Sequence, residues 1–173
     1  AVLWVGDDNS CDYSTIQTAL DAVSAGDDNR LNIKAGTYNE NLTFSLANLT
    51  GTTIDIRGSY SSCFGGVTDN QTIINAGNAG PGLNIYGGSD PVNLRLENLS
   101  FINGLNDISE QAGGLNLTRN NMNLYLTNVS VSNNQGISGG GLYVSSDNTT
   151  LYFKETRIFN NIASDGGGLY CDQ

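Results

Sequence analysis

The sequence contains no histidine, only two prolines, and seven basic residues in a chain of 173. Without histidine, neither a Ser-His-Asp nor a Cys-His arrangement can form, and the commonest general base is missing. The seven basic residues are scattered along the sequence with no cluster, which argues against nucleic acid and anionic membrane surfaces as partners. No apolar run approaches the roughly 20 residues of a membrane-spanning helix. We therefore expect no nucleic-acid partner and no membrane span.

Glycine, asparagine and short alternating apolar runs dominate what is present. There are 22 glycines, and 38% of the residues are hydrophobic, which is enough for a core. This composition is typical of turns and short strands rather than of long helices, and the length favours a single domain. The net charge of −10 is compatible with an acidic secreted protein or with cation binding.

The segment 1–30 is predicted to form an N-terminal cap. Apolar residues recur there at helical spacing, at Ile16, Ala19, Leu20 and Val23. A capping box of Ser14 with Gln17 predicts the start of this helix, and Gly26 predicts its end. A short amphipathic helix must lay its apolar stripe on something, so residues 31–173 are predicted to form the coils that it covers.

Three later segments align without gaps: LRLENLSFING from Leu94, LYLTNVSVSNN from Leu124 and LYFKETRIFNN from Leu151. Each is followed by a glycine pair, and the second glycines of these pairs, Gly114, Gly141 and Gly168, recur at equal intervals. Self-similarity at a fixed period, in units of short strands with no helix pattern, predicts an all-β fold in which each repeat is one coil of a β-solenoid.

Equivalent residues of successive coils are expected to stack. The predicted inward stacks are Leu94/Leu124/Leu151, Leu96/Leu126/Phe153, Leu115/Leu142/Leu169 and Phe101/Val131/Ile158. The predicted outward rows are Arg95/Tyr125/Tyr152 and Asn116/Tyr143/Tyr170. A structural ladder is predicted at one turn from Asn103, Asn133 and Asn160, because stacked amides bond coil to coil and tolerate left-handed backbone. Gly114, Gly141 and Gly168 are expected at the opposite corner, where a side chain would clash.

The opening of the chain resembles the entry into the right-handed parallel β-helices of the pectin-lyase-like superfamily. The T-I-Q-x-A-L pattern of the capping helix is present at residues 15–20, and the A-G-x-Y-x-E-N pattern of the first coil at residues 35–41. The same opening resembles pectin methylesterases, but their Q-D-T-L, D-F-I-F-G and L-G-R-P-W segments are absent. The resemblance implies a right-handed parallel β-helix with a short N-terminal capping α-helix.

The later coils resemble the GG(A/L/I) and FxxN repeats of polymorphic outer-membrane proteins and related bacterial surface β-helices. The glycine motif is present at residues 140–142 and 167–169, whereas the FxxN motif keeps only its asparagine, at Asn134 and Asn161. This resemblance implies a secreted or cell-surface protein, of the adhesin or stalk type.

No catalytic residue is predicted, because the acidic residues lie mainly in turns, where they usually cap backbone groups. Calcium is the one candidate cofactor, at the densest acidic cluster, Asp7, Asp8 and Asp12. The outward pairs Tyr125/Tyr152 and Tyr143/Tyr170 form a candidate binding surface that could stack on sugar rings. The alternative for these tyrosines is packing between neighbouring coils, which needs no ligand.

Two of the three cysteines are predicted to pair. Cys11 precedes the capping helix and Cys63 lies in the loop YSSCFGG, so both are near the N-terminal end. A Cys11–Cys63 disulfide would join the cap to the early coils and would fit an oxidising compartment. Cys171 aligns with Val144 and Leu117, which predicts an inward, buried thiol.

The last strand, GLYCDQ, is predicted to leave an unprotected edge. We expect that the chain is either the N-terminal portion of a longer β-helix or self-associates coil on coil through this edge.

The function expected is a non-enzymatic secreted or cell-surface module with a carbohydrate or a surface protein as partner. The alternatives are part of a polysaccharide lyase, hydrolase or esterase whose catalytic coils lie beyond residue 173, and a calcium-dependent carbohydrate-binding module.

Overall fold

The computed structural model describes residues 1–24, 28–107 and 111–172, so Gly26, the predicted helix end, lies outside the described residues. The described part of the chain has one helix, α1 (Ile16–Asp21), and sixteen strands. The strands are β1 (Val2–Val5), β2 (Asn29–Lys34), β3 (Gly36–Tyr38), β4 (Leu42–Ser45), β5 (Thr53–Tyr60), β6 (Thr72–Asn75), β7 (Leu83–Tyr86), β8 (Val92–Glu97), β9 (Leu99–Ile102), β10 (Leu115–Thr118), β11 (Met122–Thr127), β12 (Ser130–Ser132), β13 (Leu142–Ser145), β14 (Thr150–Lys154), β15 (Arg157–Phe159) and β16 (Leu169–Asp172).

The strands pair in parallel to form three sheets that run the length of the molecule. The six-stranded sheet has the order β1-β2-β5-β8-β11-β14, and the two five-stranded sheets have the orders β3-β6-β9-β12-β15 and β4-β7-β10-β13-β16. Each turn after β1 gives one strand to each sheet, so the fold is a parallel β-solenoid of about six turns. The predicted parallel β-helix with a short N-terminal helix is confirmed. No helix in the described ranges is long and apolar enough to cross a membrane.

All four predicted inward stacks are in register across neighbouring strands. Leu94, Leu124 and Leu115 are completely buried, because each coil is covered by the next. In the last coil no described residue covers the inward side chains, and Phe153 is 45% exposed. Cys171 pairs with Val144 as predicted but is exposed for the same reason, so the prediction of a buried thiol is wrong.

The capping helix begins one residue later than the predicted capping box. Its N-cap is Thr15, whose side-chain oxygen accepts a hydrogen bond from the backbone N–H of Thr18. The side chain of Gln17 instead donates to Asp21 and to the backbone carbonyl of Thr43 in β4. The apolar stripe is buried as expected, at Ile16, Ala19 and Leu20. The helix therefore covers the N-terminal end of the solenoid core.

Candidate functional site

The outward surface of the six-stranded sheet collects residues that are far apart in sequence. Arg30, Asp55, Arg95, Tyr125 and Tyr152 are partners on successive strands and form one row, which we call the arginine–tyrosine row. The row beside it contains Arg57, Glu97, Thr127 and Lys154. Four of the seven basic residues thus share one surface. These residues are scattered in the sequence, and the coils bring them into register on this surface.

One carboxylate organises the arginines of this surface. Asp55 Oδ2 lies 3.0 Å from Arg57 Nη2 and 3.4 Å from Arg30 Nη2, and Asp55 Oδ1 lies 3.7 Å from Arg95 Nη1. The Asp55 side chain is only 9% exposed, whereas those of Arg30 and Arg95 are 44% and 50% exposed. Each guanidinium carries five N–H donors. Three guanidiniums that share one carboxylate therefore keep many donors free for other groups.

Tyrosine rings continue the row beyond Arg95. The Arg95 guanidinium carbon lies 5.4 Å from the centre of the Tyr125 ring, on the side opposite Tyr152. Tyr125 and Tyr152 stack with ring centres 4.5 Å apart and ring planes 6° from parallel. Both faces of Tyr125 are therefore covered, by a cation on one side and a ring on the other. Its edge and hydroxyl remain for a ligand, whereas a sugar ring could stack only on the outer face of Tyr152.

The second predicted tyrosine pair is much less accessible. Tyr143 and Tyr170 stack with ring centres 5.8 Å apart, but Tyr143 is only 6% exposed. The glycine-rich turn before β13 packs over this row, and a Cβ at Gly139 would lie 3.0 Å from the Cβ of Tyr170. Tyr143 is outward but buried, because a turn folds across the sheet there, and its stacking on Tyr170 fits the alternative of packing between neighbouring coils.

The acidic cluster predicted to bind calcium is engaged by the protein's own groups. Lys34 Nζ lies 2.6 Å from Asp7 Oδ1 and 3.5 Å from Asp8 Oδ2. Asp12 accepts from the backbone N–H of Trp4 at 2.8 Å. The hydrogen bond from Lys34 lowers the pKa of Asp7, and the hydrogen bonds from Ser10 lower that of Asp8. Calcium at this cluster stays a prediction, and an ion there would have to displace Lys34.

The predicted disulfide between Cys11 and Cys63 is confirmed, with the two Cα atoms 5.3 Å apart. It joins the loop before α1 to the loop after β5. Asp8, Cys11 and Cys63 place potential metal-ligand atoms within 4.8 Å of one another, but both sulfurs are committed to the disulfide. A disulfide is typical of a non-reducing, extracellular environment.

The predicted asparagine turn is present, but the buried amide ladder is one residue further along. Asn103, Asn133 and Asn160 have left-handed backbone, with φ of 56°, 57° and 53°. The Asn103 side chain bonds coil to coil, since its Nδ2 donates to Asn75 Oδ1 at 3.0 Å. In the later coils a further bond of this kind is made by the following residue, Asn134, whose amide donates to Asn161 Oδ1 at 3.0 Å. Asn161 Nδ2 in turn donates to the Val131 carbonyl at 2.9 Å.

The predicted glycine corner is a place of close backbone approach. A Cβ at Gly114 would lie 2.3 Å from the carbonyl oxygen of Gly141, and one at Gly141 would lie 2.6 Å from that of Gly168. Gly168 itself has more room, because the described part of the chain places no further coil above it. A side chain at Gly114 or Gly141 would therefore clash with the backbone of the next coil, as predicted.

The sequence gives no signal for the role of Arg119, which is one basic residue at the end of an apolar strand. It is 1% exposed and its Nη1 donates to the carbonyls of Leu46 and Gly87, at 3.1 and 2.8 Å. Nη2 donates to the Asp90 carbonyl. Burial lowers the pKa of Arg119. Its bonds to three backbone carbonyls outside its own coil give it a structural role.

In comparisons with models of protein families, with curated proteins and with solved structures, nothing matches this chain. The resemblance to pectin-lyase-like and outer-membrane repeats therefore rests on the sequence motifs alone. The parallel β-solenoid and the geometry of its outward surfaces are what carry the functional argument.

Proposed function

We propose that the chain is a non-enzymatic binding module of a secreted or cell-surface protein, of the adhesin or stalk type, that presents the outer surface of its six-stranded sheet to a partner. One observation carries the proposal. In a chain with a net charge of −10, this surface gathers Arg30, Arg57, Arg95 and Lys154 beside two stacked tyrosines. Arginine and tyrosine are among the residues most enriched at the energetic centres of protein interfaces.

The scaffold supports this proposal by its rigidity. Arg30, Asp55, Arg95 and Tyr125 stand on parallel strands whose inward neighbours are buried, so this part of the surface is held in shape before a partner arrives. Preorganised side chains lose less entropy on binding than side chains on free loops. The disulfide fits a location outside the reducing cytosol, and the motif resemblance points the same way.

Two partner classes suit the surface, a carbohydrate and a protein on a neighbouring cell or host. Both would meet guanidinium donors, tyrosine hydroxyls and the amides of Asn93 and Asn123, which bond to each other at 3.0 Å on the same face. The proposal requires only that binding use this surface.

A binding panel with matched variants tests the proposal. The intact chain is applied to immobilised oligosaccharides, neutral and uronic-acid-containing, and to acidic and neutral peptides. We expect at least one ligand to be retained by the wild type and by Arg157→Gln, an exposed arginine on a different sheet, and to be lost with Arg95→Gln.

Two other outcomes would point elsewhere. Release of new reducing ends or unsaturated sugars from a polysaccharide would show an enzyme and contradict the proposal. Carbohydrate binding that requires calcium and is abolished by Asp8→Asn would instead establish the calcium-dependent module. Ligand binding that Arg95→Gln leaves intact would place the site on another face.

A further inference from the structure

A groove with a volume of about 430 Å³ lies on the outer surface of the six-stranded sheet, near its N-terminal end. Its lining includes Val2, Asp28, Arg30, Thr53, Asp55 and Arg95. Arg30 and Arg95 stand on β2 and β8, which flank β5, so their backbones are about 10 Å apart across the groove. This volume falls in the range of ligand pockets, roughly 300–1,000 Å³.

Each carboxylate of the groove already has a partner in the protein, whereas the guanidiniums have donors to spare. Asp55 Oδ1 makes no hydrogen bond, but it lies 3.7 Å from Arg95 Nη1. Asp28 Oδ1 accepts from the backbone N–H of Thr53 at 2.9 Å, and Asp55 is shared by three arginines. The Nε of Arg30 is buried and has no hydrogen-bond partner. An unpaired buried donor costs free energy, so a ligand acceptor that reaches it stabilises the complex.

We propose that Arg30 and Arg95 clamp the carboxylates of an acidic polypeptide that lies extended across this groove. The inference rests on the proposed function and names its partner class. Arginine binds carboxylate with two parallel hydrogen bonds, which lysine cannot do. Side chains two residues apart in an extended peptide project from the same side about 7 Å apart. Two glutamates in the pattern Glu-x-Glu therefore span the distance between the two flexible guanidiniums.

A polypeptide fits this surface better than an acidic glycan does. Sugar rings bind proteins through exposed aromatic faces, and both faces of Tyr125 are covered by Arg95 and Tyr152. What the row presents beside the groove is guanidinium groups and ring edges, the composition of a protein interface. The open outer face of Tyr152 lies two strands beyond Arg95. The net charge of −10 opposes an acidic partner only weakly at physiological salt, where charges more than about 8 Å apart are screened.

A defined peptide tests the proposal without knowledge of the natural partner. The probe is a ten-residue peptide of alternating Glu and Ser, and its neutral match alternates Gln and Ser. Binding to the intact chain is measured by isothermal titration, and an oligogalacturonate is measured in parallel. We expect the acidic peptide to bind and the neutral peptide not to bind. Arg30→Gln or Arg95→Gln should raise the Kd of the acidic peptide by about tenfold or more.

Three further variants keep the test decisive. Arg157→Gln removes one positive charge elsewhere and should leave Kd unchanged, and Arg95→Lys should lose most of the affinity because the paired donors are lost. The double variant Arg30→Gln/Arg95→Gln leaves Asp55 paired with Arg57, and its melting curve shows whether the fold is intact.

The outcomes separate this inference from the function on which it rests. If the oligogalacturonate binds through the two arginines and the peptide does not, the inference is wrong and the proposed function stands. If Arg157→Gln weakens peptide binding as much as Arg95→Gln does, the attraction is diffuse and the clamp is wrong. If the peptide does not bind at all, the inference is wrong, and the panel above still decides the proposed function.

Discussion

Both carboxylate oxygens of Glu40 accept hydrogen bonds from the start of the capping helix, which lies well before it in the chain. Oε1 accepts from the backbone N–H of Ile16 and Oε2 from that of Gln17, with N···O distances of 2.9 Å in both cases. The first N–H groups of a helix have no partner within it, and a negative charge there also meets the positive end of the helix dipole. The T-I-Q segment of the helix and the Y-x-E-N segment of the first coil thus contact each other through Glu40.

We expect Glu40→Gln to destabilise the fold by about 1–2 kcal/mol, because glutamine offers one oxygen and no charge to two N–H groups. Urea denaturation followed by circular dichroism measures the loss. Glu155→Gln is the control, since Glu155 is exposed in the last coil and should change stability by less than about 0.5 kcal/mol. Equal effects of the two substitutions would mean that Glu40 does not hold the helix.

Asn134 should matter far more to stability than its neighbour Asn133. Its Oδ1 accepts from the Gly104 N–H at 2.8 Å, and its Nδ2 donates to the Phe101 carbonyl at 3.2 Å. Asn134→Leu leaves both buried backbone groups unpaired, at a cost of about 2–4 kcal/mol. Asn133→Gly, at an exposed residue whose φ of 57° suits glycine, should be nearly neutral. Thermal unfolding of the pair tests this, and a larger loss from Asn133→Gly would contradict it.

The regular repeat explains which features could be predicted from sequence. In the later coils the strand segments align without gaps although the stretches between them differ in length, so apolar alternation gives both the register and the inward face, as at Leu94, Leu124 and Leu151. The same period places asparagines at one turn, but it does not tell which of two adjacent asparagines points inward, because that depends on the left-handed residue before it.

The Arg30 and Asp55 end of the proposed binding surface could not be predicted, unlike its Arg95/Tyr125/Tyr152 end, because the early coils are irregular. Arg30, Asp55, Arg95, Tyr125 and Tyr152 are separated by unequal lengths of chain, so no period connects the first arginine to the tyrosines. Burial in the last coil was misjudged for a different reason. The apolar alternation predicts which way a side chain points, as it does for Cys171. Burial of that side chain also requires another coil stacked on it.

Tyr38 is expected to make the fold sensitive to alkaline pH. Burial, aided by the charges of Asp7 and Glu40, raises the pKa of Tyr38 to about 12. The unfolded phenol ionises near pH 10, so the contribution of neutral Tyr38 to stability is complete below pH 10 and is lost as pH rises toward 12. Absorbance titration of phenolate should show one tyrosine that ionises near pH 12, and this step should be missing in Tyr38→Phe. A Tyr38→Phe curve identical in shape to that of the wild type would contradict the assignment.

The Cys11–Cys63 disulfide should contribute about 4 kcal/mol, because it closes a loop of 52 residues in the unfolded chain. We expect the double variant Cys11→Ser/Cys63→Ser to lose that much stability in denaturant titrations. Added reductant should lower the stability of the wild type but not that of the variant. Cys171→Ser is the matched control, since this exposed thiol is free and its loss should change nothing. A similar loss from Cys171→Ser would show that a different pairing operates.

The last coil of the described chain should associate with a second copy in solution. β14, β15 and β16 each pair on one side only, and their coil exposes Tyr152, Phe153, Phe159, Ile162 and Leu169. Unpaired strand edges beside exposed apolar side chains favour pairing between chains.

Light scattering coupled to size exclusion, over a concentration series in a Cys171→Ser background that prevents disulfide exchange, should show a rising average mass. Phe153→Lys/Phe159→Lys should restore the monomer, because lysine on an edge opposes pairing. Phe64→Lys is the control, as Phe64 is 67% exposed at the opposite end of the solenoid. A monomer at every concentration, or a monomer produced equally by Phe64→Lys, would show that this edge does not pair.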